Sequence, residues 1–506
     1  MRINAALAVI LLPLAAAAQA PLSAIEWLNE DMPPVRQGPV LSEPPVSDGA
    51  ALPPVSVTPL AERADPVGLV SAKVTGLPPD LWERSGADEL AAMIARTPVE
   101  DSPAMQTLLY TLLLSETRPP PENGEALLLA RLDRLLDLGA VDAAQALAEH
   151  AGTGTPARFA RWFDATLLTG DEDASCADLL RAPHLSPGYD AMIACTARAG
   201  DWSTAALLLE TAHALDLLPK SRLALLDRFL SPEIFEDAAP LPAPEHPDPL
   251  GFRLHEAIGE RLTTSRLPRV FATADLRDVA GWKAQIEAAE RLARMNALSP
   301  NRLLGLYTER APAASGGVWD RVAALQAFES ALGRQDADAV AATLPPVWDA
   351  MRDVRLEVAF ATLFAEQLAK QRLDDPRVNA LAWRIRLLSA DYETAARQPP
   401  DDSPATGFLT ALAEGDPGTV PAPDATAEAI AEGFAPGAKP PAEILHLLET
   451  HQLGAAILRA ISLLDRGAEG DPTSLSGALA TLRAVGLEDS ARRAALQLML
   501  LDRHRA

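Results

Sequence analysis

The chain is short of cysteine, of aromatic side chains and of positive charge. It has two cysteines in 506 residues, and they are not in the C-x-x-C spacing of a redox pair. Aromatic residues make up 5%, which disfavours sheets, since these draw on Tyr, Phe and Trp alongside Val and Ile. Lys and Arg number 44 against 69 Asp and Glu, a formal net charge of −25. Nucleic-acid binding needs a cationic surface that releases counterions, so this balance argues against it. It also argues against electrostatic docking on anionic lipid. After the N-terminus no uninterrupted apolar run reaches the roughly 18 residues of a membrane span. There is no G-x-S-x-G, no phosphate-binding loop and no dinucleotide fingerprint.

What the chain has is Ala, Leu and a hydrophobic content of 48%, enough to bury a large core and to form helices readily. The negative charge reads first as solubility. The N-terminus has the three parts of a secretory signal. Arg2 supplies the positive end, Ala5 to Leu14 the apolar stretch and Ala15 to Ala20 the small residues. Cleavage after Ala18, with Ala16 three positions before the cut, avoids leaving Pro21 at the first mature position. A signal peptide is therefore expected over 1–18, and the mature protein is expected in solution outside the cytoplasm. Ala- and Arg-rich, Lys-poor usage points to a GC-rich bacterium, and hence to the periplasm.

Positions 19–80 are Pro-rich and read as an extended linker, a spacer or a tether that a partner could grip. A short helical stretch, Ile25–Glu30, lies at its start. Helices then fill 81–237. Ser102-Pro103 and Thr155-Pro156 have the form of N-caps followed by Pro at the first helical position. The stretch from Cys195 to Leu218 shows the repeating unit: a helix, a Gly200-Asp201 turn and a second helix. Gly200 suits the left-handed C-cap and Asp201 the N-cap. Trp202, Ala205, Ala206, Leu209, Ala212 and His213 fall on one predicted face. A Pro-dense break, Ala238 to Pro249, separates a second helical block over 250–398. There Asp336–Thr343 and Val347–Met351 read as separate helices, because Pro345 and Pro346 lie between them. Pro/Gly-rich loops with one or two short helices follow at 399–442, and a C-terminal helical block over 443–506. The total is about twenty helices and no alternating strand. The fold class expected is all-α: an irregular, tetratricopeptide-like α-solenoid of antiparallel helix pairs. The turns do not keep the roughly 34-residue period of tetratricopeptides.

Cys176 and Cys195 lie in consecutive helical segments joined by a turn at His184 to Gly188. In an exported protein they are expected to form a structural disulfide. Such a bridge closes a loop of ~20 residues and constrains the unfolded chain by ~3 kcal/mol in the entropy model. No other site residue is expected: no catalytic residue, no cofactor and no metal. His446 and His451 are five apart and do not share a helical face, and His255-Glu256 lacks the second His of H-E-x-x-H. His150, His184, His213, His246 and His504 form no ligand pattern. The eight Trp, Trp27, Trp82, Trp162, Trp202, Trp282, Trp319, Trp348 and Trp383, read mostly as core residues of the array, with an exposed one a possible binding anchor.

Glu329-Ser330 matches the catalytic Glu-Ser dipeptide of soluble lytic transglycosylases. The Gly-Leu-Met-Gln-type segment that follows it in that family is missing here. The similarity therefore extends to the helical superhelix and not to the activity, and Glu329 reads as a solvated helix residue. In plan, with a signal, a Pro-rich lead and Ala/Leu-rich helix pairs such as Gly281–Ala293 and Gly486–Leu501, the chain resembles exported helical-repeat proteins of alphaproteobacteria. These include periplasmic accessory proteins of the flagellar stator. The resemblance implies a non-catalytic scaffold with protein partners in a cell-envelope complex, the flagellar motor among the candidates. The alternative is a peptidoglycan-associated protein or the partner of a cell-wall enzyme.

Overall fold

Local turn chemistry sets many of the helix ends. The Thr155 hydroxyl accepts the Arg158 N–H, the Ser299 hydroxyl accepts the Arg302 N–H, and Pro156 and Pro300 occupy the first helical turn behind them. The Asp201 carboxylate accepts the Thr204 N–H at 3.0 Å. Gly200 before it has φ +87°, a left-handed conformation that a side chain would strain.

The computed structural model describes residues 65–501. The expected signal peptide at 1–18, the linker up to position 64 with Ile25–Glu30 and Trp27, and His504 lie outside the described residues. Within them the chain forms 24 α-helices. The first stretch holds α1 (Ala72–Thr75), α2 (Ala87–Arg96), α3 (Pro103–Leu114), α4 (Gly124–Asp137), α5 (Val141–Ala151), α6 (Pro156–Thr169), α7 (Glu172–Arg181), α8 (Tyr189–Arg198), α9 (Trp202–Ala214) and α10 (Lys220–Leu230). Next come α11 (Pro249–Ala257), α12 (Trp282–Ala293), α13 (Pro300–Thr308), α14 (Val318–Gly333), α15 (Ala337–Arg352), α16 (Glu357–Leu368), α17 (Pro376–Leu387) and α18 (Tyr392–Ala396). The last stretch is α19 (Pro404–Glu414), α20 (Ala425–Phe434), α21 (Ala442–Glu449), α22 (Leu453–Ala468), α23 (Pro472–Ala484) and α24 (Glu488–Leu500). Among the described residues, extended pairing is limited to two isolated bridges, Val67 with Thr117 and Val70 with Ser115.

Helices adjacent in sequence pack as pairs from α4 through α10, and again in α12–α13, α14–α15, α16–α17 and α22–α23. The beginning of the described chain also packs on its end: α3 lies against α24 and α2 against α22. The Ala104 N–H donates to Gln497 Oε1 at 2.8 Å across this seam. Gly454 lets the Trp82 ring approach so closely that a Cβ there would sit 2.3 Å from it. One hydrophobic cluster accordingly runs from Leu77 to Leu254 and resumes from Trp383 to Leu496, while a second is built mainly from α12–α17. Arg131 on α4, fully enclosed, ties that helix to the end of α3 and to the bridged segment at Val67 by donating to the carbonyls of Leu113, Val67 and Ser115. Burial pushes its pKa down to about 10, so it stays charged at neutral pH.

Two local expectations are corrected. Residues 337–352 form a single helix, with Pro345 and Pro346 inside it. Val340, Leu344, Val347, Trp348 and Met351 all bury on one side, and that packing outweighs the donors the prolines remove. On α9 the buried residues are Ala205, Leu209 and Ala212, whereas Trp202, Ala206 and His213 are exposed. The reason is positional: α9 packs mainly on α8 and α10, which together cover a narrow stripe.

Candidate interaction surface

The surface is built outward from the cysteine pair. Cys176 on α7 and Cys195 on α8 are bonded, with their Cα atoms 5.0 Å apart. Buried Glu172 reinforces the same junction, pairing with Arg198 of α8 at 3.1 Å and with Arg253 of α11. Arg198 also holds Asp173 at 2.6 Å. α7 is therefore fixed to α8 by a covalent bond and ion pairs and to α11 by an ion pair, and α9 rests on α8.

Several large apolar side chains on α9 and in the segments that follow it are exposed. Trp202 is 52% exposed, and Leu207, Leu215, Leu217 and Ile234 are exposed with it. The Trp202 ring lies 6.1 Å from that of Phe229, which sets the start of α9 beside the end of α10. Leu207 lies midway along α9, while Leu215 and Leu217 sit at its far end. The 13 residues of α9 span about 20 Å at 1.5 Å per residue, and Ser203, Thr204 and Glu210 are exposed among them.

Carboxylates are frequent in this stretch. Between positions 201 and 240 there are seven Asp and Glu against three Lys and Arg. Two of those cations are engaged outside the stretch, Arg222 with Asp190 and Asp248 and Arg228 with Glu260. Glu210, Asp216, Glu233, Glu236 and Asp237 are exposed. Asp201 is held below the usual carboxylate range by hydrogen bonds from Thr204 and Ser203. His213 Nε2 lies 2.9 Å from Asp227 Oδ1. Exposed apolar side chains among carboxylates match a ligand surface that is apolar at its centre and cationic at its edge.

The other residues singled out in the sequence are dispersed. Glu329 is exposed on α14. His150, His184, His213, His246, His446 and His451 are exposed, and His255 is buried on α11. Among the described residues no three His, Cys, Asp or Glu are grouped to hold a metal ion. Trp82, Trp348 and Trp383 are core residues, and Trp162 and Trp282 donate their indole N–H to Glu149 and to the Leu306 carbonyl. Trp319 is half-buried, and Trp202 is the exposed one among the described tryptophans. Leu207, Leu215, Leu217 and Ile234 belong to no motif and were not expected at the surface. The signal was present in the Leu207–Leu209 run: a helix apolar on more than one face needs more neighbours than α8 and α10 supply. No family model, no curated protein and no solved structure matches this chain.

Proposed function

We propose that this protein is a helical-repeat scaffold of the periplasm that binds a protein partner in a cell-envelope complex, and that α9 is its docking edge. The observation that carries this reading is the set of exposed apolar side chains Trp202, Leu207, Leu215, Leu217 and Ile234 on and after α9, in a stretch rich in exposed carboxylates. Contiguous apolar surface rimmed by polar groups is the usual mark of a protein contact, and an exposed Trp is a frequent anchor. The partner that fits is an amphipathic helical segment, apolar on one side and basic on its flanks. Paired helices in series support a solenoid-type description of the array, and solenoids present extended binding faces without catalytic residues. The disulfide supports an oxidising compartment.

The test places a photo-crosslinking residue at position 207 of the full-length protein in its host, with a control at Lys370, which is exposed on the far side of the sequence. The expected result is a crosslink specific to position 207, mapping to a partner segment with net positive charge and apolar residues at helical spacing. Trp202→Glu should abolish it. Equal crosslinking at 207 and 370, or a crosslink indifferent to Trp202→Glu, removes the docking edge from consideration.

A further inference from the structure

A second feature lies away from α9. Between the 261–265 loop, the segment Arg269–Leu276, α12 and the start of α14 is an open cleft of about 610 Å³. Its walls carry Arg261, Arg291, Arg294 and Arg321 with Asp275, Glu287 and Glu290. Each carboxylate is already committed. Asp275 holds Arg261 at 3.0 Å and accepts the Thr264 hydroxyl, Glu290 holds Arg321 at 2.7 Å and accepts the Tyr307 hydroxyl at 2.6 Å, and Glu287 holds Lys283.

That pairing leaves Arg291 and Arg294 without a carboxylate among the described residues. Arg291 is clamped by two backbone carbonyls, those of Thr264 and Leu267, which fix its position without neutralising it. The Arg294 backbone N–H caps α12 on the Glu290 carbonyl at 3.1 Å, but its guanidinium makes no hydrogen bond or ion pair with any described residue. Both also line an adjoining cavity of about 360 Å³ together with Arg355, the carboxylates Glu100, Asp101 and Glu357, and Arg269, whose guanidinium donates to the Asp137 carbonyl. The guanidinium groups are close enough to repel one another. Desolvation, then Arg269 and Arg294, lowers the pKa of Arg291. Desolvation lowers that of Arg294 too, with Glu290 opposing and Arg321 and Arg355 adding to the effect. In a chain of net charge −25, two guanidinium groups that line one cleft without a salt bridge run against the overall field.

We propose that this cleft is a binding site for a small, multiply charged organic oxyanion, with Arg294 as its principal contact and Arg291 and Arg269 as fixed positive charges behind it. A guanidinium presents a planar fork of donors matched to phosphoryl and carboxyl oxygens. The hydroxyls of Thr263 and Ser265 line the same cleft and supply further donors. Leu262, Ala272, Ala284 and Ala288 form an apolar wall, so there is room and surface for a carbon skeleton as well as the charged group. The volume falls within the range of small-molecule sites and exceeds what a single inorganic ion fills.

The shared chemistry, clustered anionic oxygens, can come from phosphoryl or from carboxyl groups, and two probes separate them. Calorimetric titration of the full chain with pyrophosphate and, separately, with citrate is compared with sodium chloride at matched ionic strength. The expected result is saturable 1:1 binding of at least one probe, weakening as salt is raised. Pyrophosphate alone assigns a phosphoryl ligand, citrate alone a carboxylate ligand, and both together a site that reads charge and fork geometry. Arg294→Gln should weaken binding about tenfold or more, the loss expected of a charge-assisted hydrogen bond, with Arg294→Lys intermediate. Arg294 supports no neighbour, so the melting temperature of both variants should match that of the parent. Ser265→Ala is a second, milder probe. No binding above the chloride control, or unchanged binding in Arg294→Gln, overturns the proposal. Neither result bears on the α9 edge.

Discussion

α9 and α12 begin alike and end differently. Each opens with Trp behind a glycine-containing turn, Gly200-Asp201-Trp202 in one and Gly281-Trp282 in the other. α12 buries Trp282, Gln285, Ile286, Ala288, Ala289, Glu290, Leu292 and Ala293, whereas α9 buries three residues. Helices of similar length and start thus have opposite fates. The difference lies in their neighbours: α12 is packed by the segment Arg269–Leu276, by α13 and by α14, and α9 mainly by α8 and α10. Apolar side chains on a helix face the core only where another element arrives to cover them.

The sharpest separation of the two helices should come from their tryptophans. Trp282 is 8% exposed, stacks 5.0 Å from Trp319 and donates to the Leu306 carbonyl at 2.8 Å. Replacing it by Ala removes a buried ring and leaves that carbonyl unpaired. Trp282→Ala is expected to destabilise by ~3–5 kcal/mol in urea denaturation. A loss below ~1 kcal/mol would mean that α12 is no better supported than α9.

The disulfide comes next. α12 is held by packing, hydrogen bonds and the Glu290–Arg321 ion pair, whereas the helices beneath α9 are also held by Cys176–Cys195. Cys176→Ser with Cys195→Ser should cost ~3 kcal/mol in the chain-entropy account. Hydrogen exchange should show the loss unevenly, with protection falling over 172–214 and persisting over 282–308. Uniform loss across both stretches would show that the two regions unfold as one cooperative unit.

Much of this architecture was legible in residue order. Ser299-Pro300, Thr155-Pro156 and Gly200-Asp201 specify helix ends by interactions within a few residues, so no tertiary knowledge is needed to place them. The cysteine pairing was legible because a single turn separates the two helices that carry it. The fate of Trp202 was not, because a periodic pattern tells which residues share a face but not whether anything covers that face. The unbroken α15 was missed for the same reason: the burial of Leu344, Val347 and Trp348 around Pro345 and Pro346 is a tertiary gain that overrides a local rule. The arginine cleft was invisible as well. Arg261, Arg291 and Arg321 lie on three separate elements, and only their pairing shows which positive charges remain.

Titration offers a finer probe of the α9 side of the molecule. Beside α12 the carboxylates Glu287 and Glu290 are each paired with a cation. On α6, which packs against α11, burial raises the Asp164 carboxyl to about 7, with Asp248 and Asp133 adding to the shift and Arg161 opposing it. Arg161 spends its fork on Asp133. An unfolded Asp titrates near about 3.9. Between that value and about 7 the folded protein holds the extra proton, so stability from this group is full at low pH and is lost as pH rises through the folded value. Asp164→Asn removes the dependence. Its melting temperature should match the parent at pH 4 and exceed it at pH 8. A gap of constant size across that range would show that Asp164 does not carry the pH dependence.

The smallest expected effect is the one that bears most on function. Trp202 and Leu207 are exposed, and their contacts with the rest of the chain, such as that between Trp202 and Phe229, cover part of each side chain. Substituting an exposed apolar residue on a helix seldom moves stability by more than ~0.5 kcal/mol. Leu207→Glu and Trp202→Glu should therefore melt close to the parent, while removing the apolar centre from the surface and adding negative charge to a rim that is already acidic. If these residues were packed as Trp282 is, the same substitutions would bury a carboxylate and unfold the region. A near-neutral result would confirm that α9 has an uncovered face. Loss of the position-207 crosslink in the same folded variants would then assign that face to binding.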